Sequence, residues 1–219
     1  MKRMASQGDM VLSFHDSLLR TSDVDTLVPG NWLNDNIIAF AFEYFEKVQF
    51  KLHEKDVSFI SPDVTQFIKL NCGDELGIFL EPLCLTSKKY IFLVVNDESS
   101  AARAGGSHWS LLMFSRPENT FYHHDSCNKS NTKSAKVVAM SIEIFLRATR
   151  KVQFKNEESP QQENTCDCGM YAICNTELLC KKHLDEDEVD LINTITPEYV
   201  TKKRQEMVNL IHKLASTSK

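Results

Sequence analysis

Residues 161–172 read QQENTCDCGMYA, with two cysteines flanking one aspartate just ahead of an apolar, helix-like stretch. A cysteine nucleophile reacts as its thiolate, a form favoured by a helix N-terminus and by a nearby imidazolium. Cys168 stands where the loop turns into the predicted helix, and Gly169 beside it is expected to leave room for a substrate backbone. Cys166 is still in the loop, while Cys174 and Cys180 are scattered around the helix as core or surface thiols. A cysteine taken singly is far more often a small buried apolar residue than a nucleophile. A nucleophile therefore requires a base and an orienting acid that the fold brings to it.

His108 opens the run HWSLLMF after Gly105 and Gly106, and Asp125 ends the run TFYHHD. With a turn centred between Pro117 and Glu118, Asp125 falls opposite Ser110, which shares a strand face with His108. The two side chains become diagonal neighbours, roughly 7–8 Å apart at the backbone and closer at their tips. A slip of one residue would place them on opposite faces. His123 and His124 read as hairpin surface, and His15, His53, His183 and His212 as solvated positions. Asp97 and Asp167 are rival orienting acids, Asp167 being better placed to fix the loop of the nucleophile. Gln162 is a candidate to swing a side-chain amide toward a developing oxyanion, together with the backbone N–H of Cys168.

Metal binding is the competing use of these residue types. Cys166-x-Cys168 has the wrong spacing, since paired zinc ligands usually have about two to four residues between them. No metal site and no cofactor is expected. A Cys166–Cys168 disulfide would close a tight ring and need an oxidant.

The elements that must position these groups follow from periodicity. In NWLNDNIIAFAFEYFEKVQF, the residues Ile37, Phe40, Ala41, Tyr44 and Val48 form one helical stripe, with Asn31 as its predicted N-cap. Ser61 and Pro62 start a short helix. YIFLVV at 90–95 is a strand, HWSLLMF and TFYHH form a hairpin about SRPEN, and SAKVVAMSIEIFLRATR is helical. KVQFK is a further strand, a helix follows from Cys168, and LDEDEVD is a solvated turn or helix start. TPEYVTKKRQEMVNLIHKLA closes the chain as an amphipathic helix with Val200, Met207, Leu210, Ile211 and Leu214 on one face. Helix, strands and helix make an α+β domain over residues 11–214, with loose ends at 1–10 and 215–219.

Bulk properties narrow the function. A chain of 219 residues, 42% apolar, is the size of one domain. A net charge of −5 gives no basic footprint for nucleic acid. The longest apolar run, YIFLVV, falls far short of the roughly 20 residues that span a membrane, so a soluble protein is expected. MKRMASQGDM carries no apolar stretch of a secretory signal, and seven cysteines without one suit a reducing compartment, cytoplasm or nucleus.

His108-Trp109, Asp125-Ser126, Gln162-x-Asn164-x-x-Asp167-Cys168-Gly169 and the WLND stretch Trp32–Asp35 together resemble the sentrin/SUMO-specific protease family of cysteine proteases. The resemblance spans about residues 11–214 and implies a papain-like, ubiquitin-like-protein protease fold. It implies that Cys168 attacks the carbonyl of a modifier's C-terminal glycine, with His108 as base and then acid, Asp125 holding the imidazole and Gln162 at the oxyanion. It also implies that Trp32 and Trp109 line a narrow tunnel for a Gly-Gly tail, where ordinary core packing is the plainer use of a tryptophan. Asp35, Asn96, Asp97, Gly105 and Gly106 join the expected substrate-binding set. The bare catalytic domain and the loop NDESSAARAGGSHW resemble the branch directed at the neddylation modifier. That branch processes the modifier's precursor and frees it from lysines of targets such as cullins, here as a monomer. The same fold acting on SUMO or ubiquitin, and a silent module that only binds a tail, are the alternatives. Cys166 stands where related sequences carry other residue types, so oxidation through a Cys166–Cys168 link or a sulfenic acid is a further expectation.

Overall fold

The computed structural model describes residues 8–71, 75–100 and 105–217. An antiparallel ribbon of β1 (Met10–Phe14) and β2 (Ser17–Arg20) leads into α1 (Thr21–Val24) and α2 (Asp35–Tyr44). Then follow β3 (Val57–Ile60), α3 (Pro62–Leu70), α4 (Glu75–Leu80), β4 (Tyr90–Asn96), β5 (Trp109–Ser115) and β6 (Thr120–His124). The chain ends with α5 (Thr132–Glu143), β7 (Gln153–Asn156), α6 (Cys168–Leu184), α7 (Leu191–Thr194) and α8 (Pro197–Thr217). Strands β3-β4-β5-β6-β7 form one mixed sheet in that order, antiparallel through β4, β5 and β6 and parallel at both outer pairs.

Strand β4 is a continuous apolar run because both faces of the sheet are covered. Ile91, Leu93 and Val95 pack with Ile68, Ala135, Val138 and Ile142 from α3 and α5. Phe92 and Val94 pack on the other side, with Ile37, Phe40, Met170, Tyr171 and Ile211 from α2, α6 and α8. Burial of both faces also explains why His123 and His124, expected at the surface, are only 0% and 5% exposed. The ring of His183 packs on Tyr90 and is half-buried. Helix α6 is buried from Cys168 through Cys180, so Cys174 and Cys180 are core thiols.

Several expected boundaries move. The cap of α2 is Asn34, whose side chain accepts from Ile37 N–H at 3.1 Å. Asn31 instead donates to the Asp25 carbonyl, and Trp32 and Leu33 separate it from the start of the helix. Buried Asp23 receives the amides of Asn34 and Asn36 and anchors this turn. Past Tyr44 the helix widens into a π turn, Phe45–Gln49, which breaks the 3.6-residue phase and turns Val48 outward. At the ends, Met10 already lies in β1, Thr21 N–H bonds the Asp9 carbonyl, and α8 runs through Thr217. Of the ends expected to be loose, residues 1–7 and 218–219 lie outside the described residues.

Candidate active site

The hairpin adopts the expected register, with Ser115 opposite Thr120 and Leu111 opposite His124. Asp125 therefore emerges at the strand end nearest His108, and His108 Nε2 lies 2.7 Å from Asp125 Oδ1. The carboxylate is buried, and its other contacts are the backbone N–H groups of Cys127 on Oδ1 and of Asn131 on Oδ2, each at 2.9 Å. Burial alone would raise the Asp125 pKa, but the His108 hydrogen bond and these two N–H donors outweigh it and hold the carboxyl below the usual range. Burial likewise works to lower the His108 pKa. Hydrogen bonds to Asp125 and Cys168, and their negative charge, overcome it and push the ring up to about 10. With Nε2 committed to Asp125, Nδ1 is the ring atom left for the Cys168 thiol.

Cys168 is the first residue of α6, and Asp167 is the N-cap. The Asp167 carboxylate does not cap the helix: Oδ2 accepts from Asn164 at 2.7 Å, and Oδ1 accepts from Arg204 Nε and Nη2 at 2.8 and 2.6 Å. The same guanidinium donates to the carbonyls of Thr26, Asn31 and Cys166. Arg204, 2% exposed, thus joins the loop before Trp32 to the loop before Cys168. Its role was visible in principle, since Val200, Arg204, Met207 and Ile211 are the buried positions of α8, and a charge inside an apolar stripe demands a partner.

Gly169 does not open space for substrate. A side chain there would come within 3.1 Å of Leu33 Cβ and 3.4 Å of Ile38 Cδ1, so glycine lets α6 pack closely against Leu33 and α2. Cys166 Sγ contacts Asn164 Oδ1 at 3.3 Å, and burial, followed by the Asp167 charge, raises its pKa.

A groove of about 360 Å³ reaches Cys168, and it brings together Trp32, Asp35, Asn96, Gly105, Gly106 and Trp109. Trp109 is anchored by donation from its indole N–H to the Leu33 carbonyl at 3.2 Å. Trp32 is 50% exposed, which is not core packing. Gly106 has φ +106°, and a Cβ there would come 1.9 Å from Asn96 Oδ1, so both backbone and space require glycine. Asp63, Gln66 and Glu98 also share this groove, and no local pattern singled them out. Asp97 is not among its lining residues. Its carboxylate accepts from Ser107 N–H, Ser107 O–H and His108 N–H at 2.7, 2.6 and 3.1 Å, closing the loop that delivers His108.

Gln162 borders a second hollow beside His108 and Trp32. Ser126 O–H donates to its Oε1 at 2.7 Å, which fixes the amide orientation, and Nε2 donates to the Asn164 carbonyl at 2.6 Å. One of its two amide hydrogens remains for another acceptor. Among the described residues, no group of three or more His, Cys, Asp or Glu is placed to hold a metal ion, and no helix is long and apolar enough to cross a membrane.

A thiol at a helix N-terminus, beside an imidazole that is hydrogen-bonded to a buried carboxylate, is the constellation of a cysteine hydrolase. The model of the Ulp1 protease family, C-terminal catalytic domain, matches residues 31–217, and the chain belongs to this family of cysteine proteases. It is 51% identical to human sentrin-specific protease 8 over 94% of this chain and 98% of that protein. It is 34% identical to the NEDD8-specific protease 1 of Arabidopsis thaliana over 97% of both. Its fold matches the C-terminal Ulp1 protease domain solved in complex with Smt3, the yeast orthologue of SUMO, with a TM-score of 0.72 at 18% identity, covering 97% of this chain and 90% of that one.

Proposed function

We propose that this protease cleaves after the C-terminal Gly-Gly of the neddylation modifier, NEDD8, both in its precursor and in conjugates. The observation that carries the reading is the Cys168–His108–Asp125 chain of contacts at the end of a groove bordered by Trp32 and Trp109. The preference for NEDD8 is supported by relatives named sentrin-specific protease 8 and NEDD8-specific protease that match nearly the whole chain.

In the reaction, Cys168 Sγ, its proton already held by His108, adds to the carbonyl carbon of the terminal glycine. The oxyanion takes hydrogen bonds from the Cys168 backbone N–H and the free amide hydrogen of Gln162. Collapse breaks the C–N bond, and His108 returns its proton to the departing lysine or chain nitrogen. Water, deprotonated by the same ring, then adds to the thioester and releases the modifier's carboxylate and the thiol. Asp125 keeps Nδ1 aimed at Cys168 throughout. Trp32 and the glycine-lined wall at Gly105 and Gly106 accept a tail without side chains. The enzyme acts as a monomer in cytoplasm or nucleus, with cullin conjugates among its substrates; the free thiols at Cys84, Cys127, Cys166, Cys168, Cys174 and Cys180 suit such a reducing compartment.

The test is covalent capture. The parent and Cys168→Ala are incubated separately with NEDD8, SUMO and ubiquitin, each carrying a C-terminal electrophile, and intact masses are read. Labelling of the parent by NEDD8, absent in Cys168→Ala, is expected. Labelling by SUMO or ubiquitin in preference would keep the mechanism and overturn the substrate, while no labelling by any would favour a tail-binding module.

A further inference from the structure

Asn131 lies beneath the catalytic pair and donates three hydrogen bonds that look unrelated. Its backbone N–H donates to Asp125 Oδ2 at 2.9 Å. Its side-chain Nδ2 donates to the Val95 carbonyl on β4 and to Ser110 Oγ on β5, both at 2.9 Å. Ser110 lies in β5 two residues after His108, which immediately precedes that strand. The strand end that presents the base is thus tied, through one 2% exposed residue whose side chain holds the strands and whose backbone N–H holds Asp125, to the carboxylate that orients it.

Three features show what this arrangement costs. Asn131 is the N-cap of α5, yet its side chain makes no capping bond to the helix, although Asn is among the strongest capping residues. Its Oδ1 is buried without a partner. The loop that carries it passes through two consecutive left-handed residues, Asn128 at φ +49° and Lys129 at φ +62°, neither a glycine. A helix cap forgone, an orphaned carbonyl and backbone strain coincide at the residue that holds the orienting acid.

The network behind it is polarised in one direction. His123 Nδ1 lies 2.7 Å from the amide oxygen of Asn156, which can only accept, so Nδ1 carries the proton. Nε2 of His123 then accepts from Ser110 O–H at 3.0 Å, which leaves Ser110 Oγ to receive Asn131. Burial lowers the His123 pKa and keeps this ring neutral.

We infer that Asn131 is a positioning residue of the protease, acting through Asp125 to set the proton affinity and aim of His108, with Ser110 and His123 holding its side chain. The titratable groups that face the pair are Cys168 on His108 and His123 on Asp125, with Asp97 bound to the His108 backbone.

The inference rests on the proposed activity only for its kinetic readout. The experiment titrates the His108 ring by NMR, which needs no substrate, and measures kcat and KM against pH on a NEDD8 C-terminal amide for the parent, Asn131→Ala and Ser110→Ala, with a thermal midpoint for each. The parent ring is expected to titrate near 10. Asn131→Ala keeps the backbone N–H that meets Asp125 but removes the side-chain bonds that hold it in place. With Asp125 less firmly aimed, the proton affinity of His108 is expected to fall by roughly tenfold or more, the alkaline limb of kcat to move down with it, and kcat to drop about 10- to 100-fold with KM within about twofold. Ser110→Ala shifts both in the same direction and by less. A folded Asn131→Ala with unchanged His108 titration and unchanged alkaline limb overturns the inference, whatever its residual activity. If Asn131→Ala does not fold, Ser110→Ala decides, and an unshifted ring there overturns it equally. A parent that fails to turn over the NEDD8 amide sinks the substrate reading, while the ring titration still judges Asn131.

Discussion

The two halves of the active site are built in different ways. His108 and Asp125 sit at the ends of paired strands, pinned by hairpin register, by two backbone N–H donors and by a buried polar network. The groove side is loop: Trp32 follows a turn at Gly30, is 50% exposed and precedes the Asn34 cap, and Gly105 and Gly106 belong to the segment between β4 and β5. Rigid elements hold chemistry to the tolerance it needs, whereas loops can be exchanged to fit a different substrate without disturbing them. Substitutions in the first half should therefore strike kcat, and those in the second should strike KM.

Cys168→Ala removes the nucleophile and should abolish turnover, a loss of about 10⁶-fold if it matches the cost of deleting a nucleophile in a comparable triad. Active-site labelling and a progress curve check it. Asp125→Asn keeps the shape but leaves His108 without its anion, and kcat should fall by about 10⁴-fold, as for the equivalent change in serine enzymes.

Arg204→Met breaks a buried pair and strands the Asp167 charge. It should cost about 3–5 kcal/mol of stability, read as a lower urea midpoint. Gly106→Ala forces a clash with Asn96 and a φ that alanine rarely adopts, so KM should rise about tenfold and the urea midpoint should fall, by less than in Arg204→Met. Trp32→Ala should raise KM by a similar or smaller factor, since a half-exposed ring contributes little to the core.

Stability should also follow pH through the same pair. His108 rises from 6.5 to about 10 on folding, so its contribution is complete below about pH 6.5 and is lost as pH climbs through about 10. Asp125 is held below its ordinary 3.8, so its contribution is present above that value and is lost as pH falls below it. Urea midpoints at pH 6 should thus exceed those at pH 10, and the difference should shrink in His108→Ala.

The catalytic pair was legible because a short turn and period-two alternation fix hairpin register locally, and one correct register places Asp125 against His108. Helix stripes such as Val200, Met207 and Ile211 were legible for the same reason, being periodic within one segment. What failed depended on distant chain. Arg204 meets Asp167 across 37 residues, and nothing near either residue names the other. Strand β3 pairs with β4 across α3, which no local pattern predicts. Gly169 looked like substrate space because Leu33 and Ile38, which close over it, come from the other end of the chain. Asp97 looked like groove because it belongs to the right loop, but its carboxylate is spent on Ser107 and His108.

The contrast between the two halves is tested most directly by steady-state kinetics on a NEDD8 C-terminal amide with the parent, Asp125→Asn and Trp32→Ala assayed side by side. The expected result is a fall in kcat at nearly constant KM for Asp125→Asn, and a rise in KM with kcat largely kept for Trp32→Ala. If both variants instead move the same parameter by similar factors, chemistry and tail binding are not separable in this site, and the division between strand-held catalysis and loop-held recognition is wrong.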